Sequence, residues 1–167
     1  RHLKNATIAI EDAEFYEHRG VKPTAIIRAI LVNLGTLNFS QGGSTITQQV
    51  VKNSILTPKK EISRKLKEWV LSVKLEGIIS KDEILGLYLN EAPYGGNLYG
   101  AEEASRAFFG KSAKDLSLVE SAYLASLPQA PTYYSPYGNN AARLEERKNL
   151  VLSRMHELGF ISDDEYT

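Results

Sequence analysis

Thr45–Gln48, Ser80–Glu83, Ser117–Glu120 and Ser162–Glu165 each set a serine or threonine three residues before a glutamate or glutamine. In that spacing the hydroxyl accepts from a first-turn N–H, and the longer side chain reaches back to the N–H of the cap residue. Each pair therefore reads as a helix start. Gly20 and Gly77 read as stops. No alternating strand pattern of convincing length and no internal repeat interrupts the series. The expectation is a mainly α fold with at most one short hairpin.

Periodicity fills in the helices. Residues 6–18 read as one helix ended by Gly20. Residues 24–37, TAIIRAILVNLGTL, are strongly apolar but shorter than the roughly 20 residues a bilayer span needs. They describe a buried core helix or one that dips into a membrane interface. Between about 61 and 76, Ile62, Leu66, Trp69, Val70 and Val73 form one apolar face at helical period. Helices follow from Ser80, at about 100–109, at 117–127 and at 141–158. EAPYGGNLYG (91–100) and QAPTYYSPYGNN read as loops.

Composition matters mainly for what it excludes. Twenty basic and twenty acidic residues cancel, so nothing favours a nucleic-acid partner. There is no cysteine, hence no disulfide framework and no thiol nucleophile. His2, His18 and His156 are far apart, and no HExxH spacing exists. The chain begins without methionine and stops soon after its last helix start. It reads as a piece of a longer protein.

Four stretches carry possible chemistry. In EDAEFYEHRG (11–20), Glu11 and His18 would share a face two turns apart if the helix is continuous, with Ile8 and Phe15 making that face partly apolar. A carboxylate there suits a general base. Dipole-matched charges in a helix give the same pattern. In GGSTITQQVVKN (42–53), two glycines permit close backbone approach, and Ser44 and Thr45 open a helix whose N–H groups favour an anion; Gln49 and Lys52 can face the same space. An ordinary glycine turn before a capped helix fits as well. In RKLKE (64–68), Arg64 and Lys65 precede Glu68. That order is the weaker one for helix stability, so two cations for a diphosphate compete with a solvated face. In KDEILGLYLN (81–90), Tyr88 fits the core and Asn90 a C-cap.

Together, in this order, the stretches resemble the peptidoglycan glycosyltransferase domain, family 51, of class A penicillin-binding proteins and monofunctional transglycosylases. The motif E-D-x-x-F-x-x-H-x-G is matched by Glu11, Asp12, Phe15, His18 and Gly20, and G-G-S-T-I-T-Q-Q is complete from Gly42 to Gln49. R-K-x-x-E falls on Arg64, Lys65 and Glu68, and K-x-x-I-L-x-x-Y-L-N on Lys81, Ile84, Leu85, Tyr88, Leu89 and Asn90. FFGK (108–111), Glu120 and LPQAP (127–131) look like later blocks of the family. Pro93 and Asn97 depart from its commonest form, and Lys59 and Lys60 stand where arginine is frequent.

The resemblance implies a lysozyme-like helical fold with two lobes, head and jaw, making up a single domain over 1–167. It places residues 21–41 in a membrane-facing jaw. It implies polymerisation of lipid II, with the growing strand on undecaprenyl diphosphate as donor. Glu11 would be the base, and Glu68 would position the donor or hold a divalent cation such as Mg2+; no organic cofactor is implied. Asp12, His18, Ser44, Thr45, Gln48, Gln49, Lys52, Arg64, Lys65, Tyr88 and Asn90 would bind the diphosphate or neighbouring sugars. The implied setting is the extracytoplasmic face of a bacterial cell membrane, with a cell-wall synthesis complex as partner. A lysozyme-like lytic enzyme is the rival reading; it would need a general acid more than cations.

Overall fold

The computed structural model describes residues 1–24, 43–54 and 62–167. All but the first residue of the apolar stretch 24–37, most of the expected jaw segment 21–41, and Lys59 and Lys60 lie outside the described residues. Among the described residues there are eight α-helices and one two-stranded hairpin. The chain forms two compact units, one of residues 1–13 and 89–167, the other of residues 14–88.

In the first unit, α1 (His2–Glu11) buries Leu3, Ala6, Ile8 and Ala9. It packs on α6 (Leu118–Ser126) and α7 (Ala141–Glu157), which also pack on each other. Ala6 and Ala9 on α1, with Ala122 and Ala125 on α6, are buried small residues that let helix backbones approach closely. From α7, Leu144, Val151 and Met155 bury one face at helical spacing. The hairpin pairs β1 (Pro93–Gly95) with β2 (Leu98–Tyr99) and buries Tyr94. Then follow α5 (Ala101–Phe109), a short 3-10 turn, and after α7 the four-residue α8 (Asp163–Tyr166).

In the second unit, α2 (Ile46–Ser54) packs on α3 (Ile62–Glu76). Helix α4 (Lys81–Glu91) buries Ile84, Leu85 and Tyr88, and its last residues belong to the first unit. All four cap pairs form. The N–H of Thr45 donates to Gln48 Oε1 at 2.8 Å while that of Gln48 donates to Thr45 Oγ1 at 3.1 Å. Ser80 with Glu83, Ser117 with Glu120 and Ser162 with Glu165 repeat the arrangement.

The stretch 91–100, read as a loop, contains the β1–β2 hairpin, the one short hairpin the fold reading allowed; two further elements differ from expectation. The first helix ends at Glu11, not at 18. Asp12 turns extended, with φ −161° and ψ 75°, and residues 13–17 run as turns. The sequence shows no glycine or proline at that point, so periodicity runs straight through it. Glu11 is thus the last residue of α1, and it does not share a helical face with His18. The second difference concerns α3. Its Leu66, Val70 and Val73 are about half exposed, while Glu68 and Ser72 on the opposite face are buried. An amphipathic helix ordinarily turns its apolar face inward. Here the polar face turns inward.

Candidate active site

Glu11 stands at the end of α1, where its side chain keeps only 11% of its exposure. The negative charge lies at the carbonyl end of the helix dipole, opposite to the N-terminal setting that would stabilise it. The dipole-matched explanation of this acidic stretch therefore does not hold for Glu11. Its cation comes from α7: Arg147 Nη2 lies 3.8 Å from Glu11 Oε1. Arg147 Nε donates to the Ser126 carbonyl at 3.0 Å, and its guanidinium lies 5.3 Å from the centre of the Tyr134 ring. Burial, reinforced by the neighbouring Glu11 carboxylate, pushes the buried Tyr94 hydroxyl well above its ordinary range. Tyr94 stays protonated at neutral pH. Asp12 is buried beside Glu11 in the chain.

The second unit gathers the other motif residues. Lys65 lies on the polar face of α3 and contacts the carboxylate of Glu68 three residues on. The same ammonium donates to Ser44 Oγ at 3.2 Å. Glu68 is 2% exposed and Lys65 43% exposed, so the carboxylate is buried while the cation faces outward. The neighbouring Arg64 has a buried Nε without a hydrogen-bond partner among the described residues. Lys52 is exposed on the last turn of α2, and Gln49 half-buried one turn earlier.

Other sequence-selected residues serve the scaffold. Thr45 and Gln48 are buried and bond each other's backbone; Thr45 Oγ1 also donates to the Gly20 carbonyl at 2.6 Å. The cap engages the Gln48 N–H, which reduces the free donors expected to face an anion. Gly20 has φ 80°, and a Cβ there would lie 2.7 Å from the Ser72 carbonyl. This turn thus presses on α3 and admits only glycine. Tyr88 is buried in its unit, and Asn90 is exposed near the end of α4.

His18 faces Lys81 at 3.5 Å, and Lys81 lies over the Phe15 ring. Lys81 donates to Glu76 Oε1 at 2.8 Å, and the Thr47 hydroxyl donates to the same oxygen at 2.5 Å. Glu76 thus joins residues from two motifs, Thr47 and Lys81, without belonging to either. Spacing alone could not single out Glu76, Arg147 or Tyr94, because their partners lie on other segments of the chain.

Among the described residues, no group of three or more histidine, cysteine, aspartate or glutamate side chains could hold a metal ion. Glu68 offers one carboxylate already engaged by an ammonium. A magnesium ion commonly takes one or two carboxylates together with substrate phosphates and water, and Glu68 is the carboxylate here that could contribute to such a set. No helix among the described residues is long and apolar enough to cross a membrane.

Comparison with known proteins gives one consistent result. The family profile described as Transglycosylase matches residues 1–156. Penicillin-binding protein 1A of Aquifex aeolicus is 46% identical over 165 residues, which cover 99% of this chain and 23% of that protein. Penicillin-binding protein 1A/1B of Bacillus subtilis is 47% identical over 165 residues, covering 98% and 18%. The chain spans less than a quarter of the length of either. The crystal structure of penicillin-binding protein 1A from Haemophilus influenzae matches 53% of this chain and 13% of its own, at 46% identity and a TM-score of 0.49.

Proposed function

This chain belongs to the transglycosylase family, and from that premise we propose that it polymerises lipid II into β-1,4-linked peptidoglycan strands. The donor is the growing strand on undecaprenyl diphosphate. The acceptor is the 4-hydroxyl of an incoming lipid II. That oxygen attacks the anomeric carbon from the face opposite the diphosphate, the C–O bond to the diphosphate breaks, and the configuration inverts. Glu11 takes the acceptor proton. The leaving diphosphate carries away the bond's electron pair and departs into cationic surroundings, so it needs no proton donor.

The observation that carries this reading is the joining of Ser44 and Lys65, which the sequence holds in separate motifs, beside the buried Glu68. A hydroxyl and an ammonium held together suit a phosphoryl oxygen. The unpartnered Nε of Arg64 adds a donor next to them in the chain. Lys52 and Gln49, with Asp12 and His18, complete the set of substrate-binding residues that the family motifs nominate. A lipid on both substrates sets the work at a membrane surface, and the family resemblance points to the extracytoplasmic face of a bacterial cell membrane, within reach of other cell-wall enzymes.

The test is direct. Purified protein is incubated with lipid II in detergent, and the products are sized by gel. Strands that lengthen with time support polymerisation. Preformed strands that shorten, with no growth, would establish the lytic reading instead.

A further inference from the structure

We propose that Arg147 is a positioning residue for Glu11: anchored independently of the carboxylate, it supplies the fixed positive charge that keeps the base ionised and oriented. The inference rests on the glycosyl-transfer reading above, and it assigns a role to a residue outside the motifs that nominated the site.

Three contacts define the arrangement. The Nε of Arg147 is committed to the Ser126 carbonyl at the end of α6, at 3.0 Å. The guanidinium plane has the Tyr134 ring against it. This leaves Nη2 to face Glu11 Oε1 at 3.8 Å, with the arginine side chain 12% exposed. Only a guanidinium can hold an anchor with one nitrogen and present charge with another. At 3.8 Å it acts through charge and not through a short hydrogen bond.

Two features of the setting oppose ionisation of Glu11. The carboxylate is largely buried. It sits at the unfavourable end of α1. From β1 the Tyr94 hydroxyl is neutral, and Asp12 follows directly in the chain. The titratable groups of α6 are engaged elsewhere, Glu120 with Lys111 and Tyr123 with Glu145. On α7, Glu146 pairs with Arg143 and Lys148 with Glu145. Arg147 is therefore the cation that the described first unit places against Glu11.

The test compares Arg147→Met, Arg147→Gln and Arg147→Lys by the pH dependence of kcat/KM for lipid II polymerisation. Circular dichroism and thermal melting run alongside. The expected result is that both neutral variants move the acid limb to higher pH by about 1–2 units, while the lysine variant stays closer to wild type. Titration of 13C-labelled glutamate reads the Glu11 carboxyl in the same proteins without relying on turnover, and the same upward shift is expected. An unmoved acid limb and an unmoved carboxyl titration, in variants that melt lower, would reduce Arg147 to a packing residue and overturn the proposal. A wild-type protein that makes no strands would defeat the underlying reading, and the carboxyl titration would still decide the pairing.

Discussion

Glu11 meets its cation on a different helix of its unit, whereas Glu68 meets Lys65 three residues earlier on its own helix. The arginine is buried, anchored to a carbonyl and backed by a ring. The lysine is less than half exposed but far more open than the arginine, and it reaches on to Ser44. The surroundings differ in the same sense. Glu11 ends a helix whose buried face is apolar. Glu68 lies on the inward face of a helix that shows its apolar residues to the outside. A base must be held in one orientation while its charge is maintained, and rigid tertiary contacts do this. A group that meets a mobile lipid diphosphate can be carried by a flexible ammonium on a single helix.

The contrast can be broken most sharply at Glu11. Glu11→Gln keeps shape and removes the base, so lipid II polymerisation should fall by about 10²–10⁴-fold with the helical circular dichroism unchanged. Retained turnover would remove Glu11 from the chemistry. Next in size is Gly20→Ala, which asks whether the second unit also depends on one close tertiary contact. Left-handed backbone alone costs about 1–3 kcal/mol, and the added methyl meets the Ser72 carbonyl. Denaturant unfolding should show at least that loss. Lys65→Met tests the locally held pair. Loss of one charge-assisted contact should raise KM for the donor by about tenfold, with a smaller effect on the melting temperature. An effect on kcat alone would assign Lys65 to the proton-transfer step.

Two smaller effects sharpen the stability side of the first unit. Ser117→Ala removes the cap of α6, the helix whose end anchors Arg147, and should cost about 1 kcal/mol in thermal or denaturant unfolding. Lys111 and Ser117 hold the Glu120 carboxyl down to about 2 from an ordinary 4.5. A depressed carboxyl stabilises the fold above its unfolded value and loses that contribution as pH falls through the folded one. Melting temperature should therefore drop between about pH 4.5 and 2. Lys111→Met should flatten that drop; an unchanged slope would discount the pair.

Local rules read well from this sequence. The four cap pairs act over three residues, and each formed as the spacing dictates. The meeting of Ser44 with Lys65 follows the motifs. What spacing could not give was set by packing. The end of α1 at Glu11 leaves no glycine or proline as a mark. The outward apolar face of α3 reverses a rule that assumes the core is apolar. Arg147 has no signal relating it to Glu11, because the two approach only once α1, α6 and α7 are packed.

One placement has a practical consequence for all these measurements. The chain has a single tryptophan and a single methionine. Trp69 stands next to Glu68 on α3, in the second unit, and Met155 is fully buried on α7, in the first. Tryptophan emission, excited selectively over the nine tyrosines, thus listens to the unit with the cationic cluster. A labelled methionine methyl in NMR listens to the unit with Glu11. Each half of the molecule carries its own natural probe, and coincidence or separation of the two melting curves can be read without adding a foreign label.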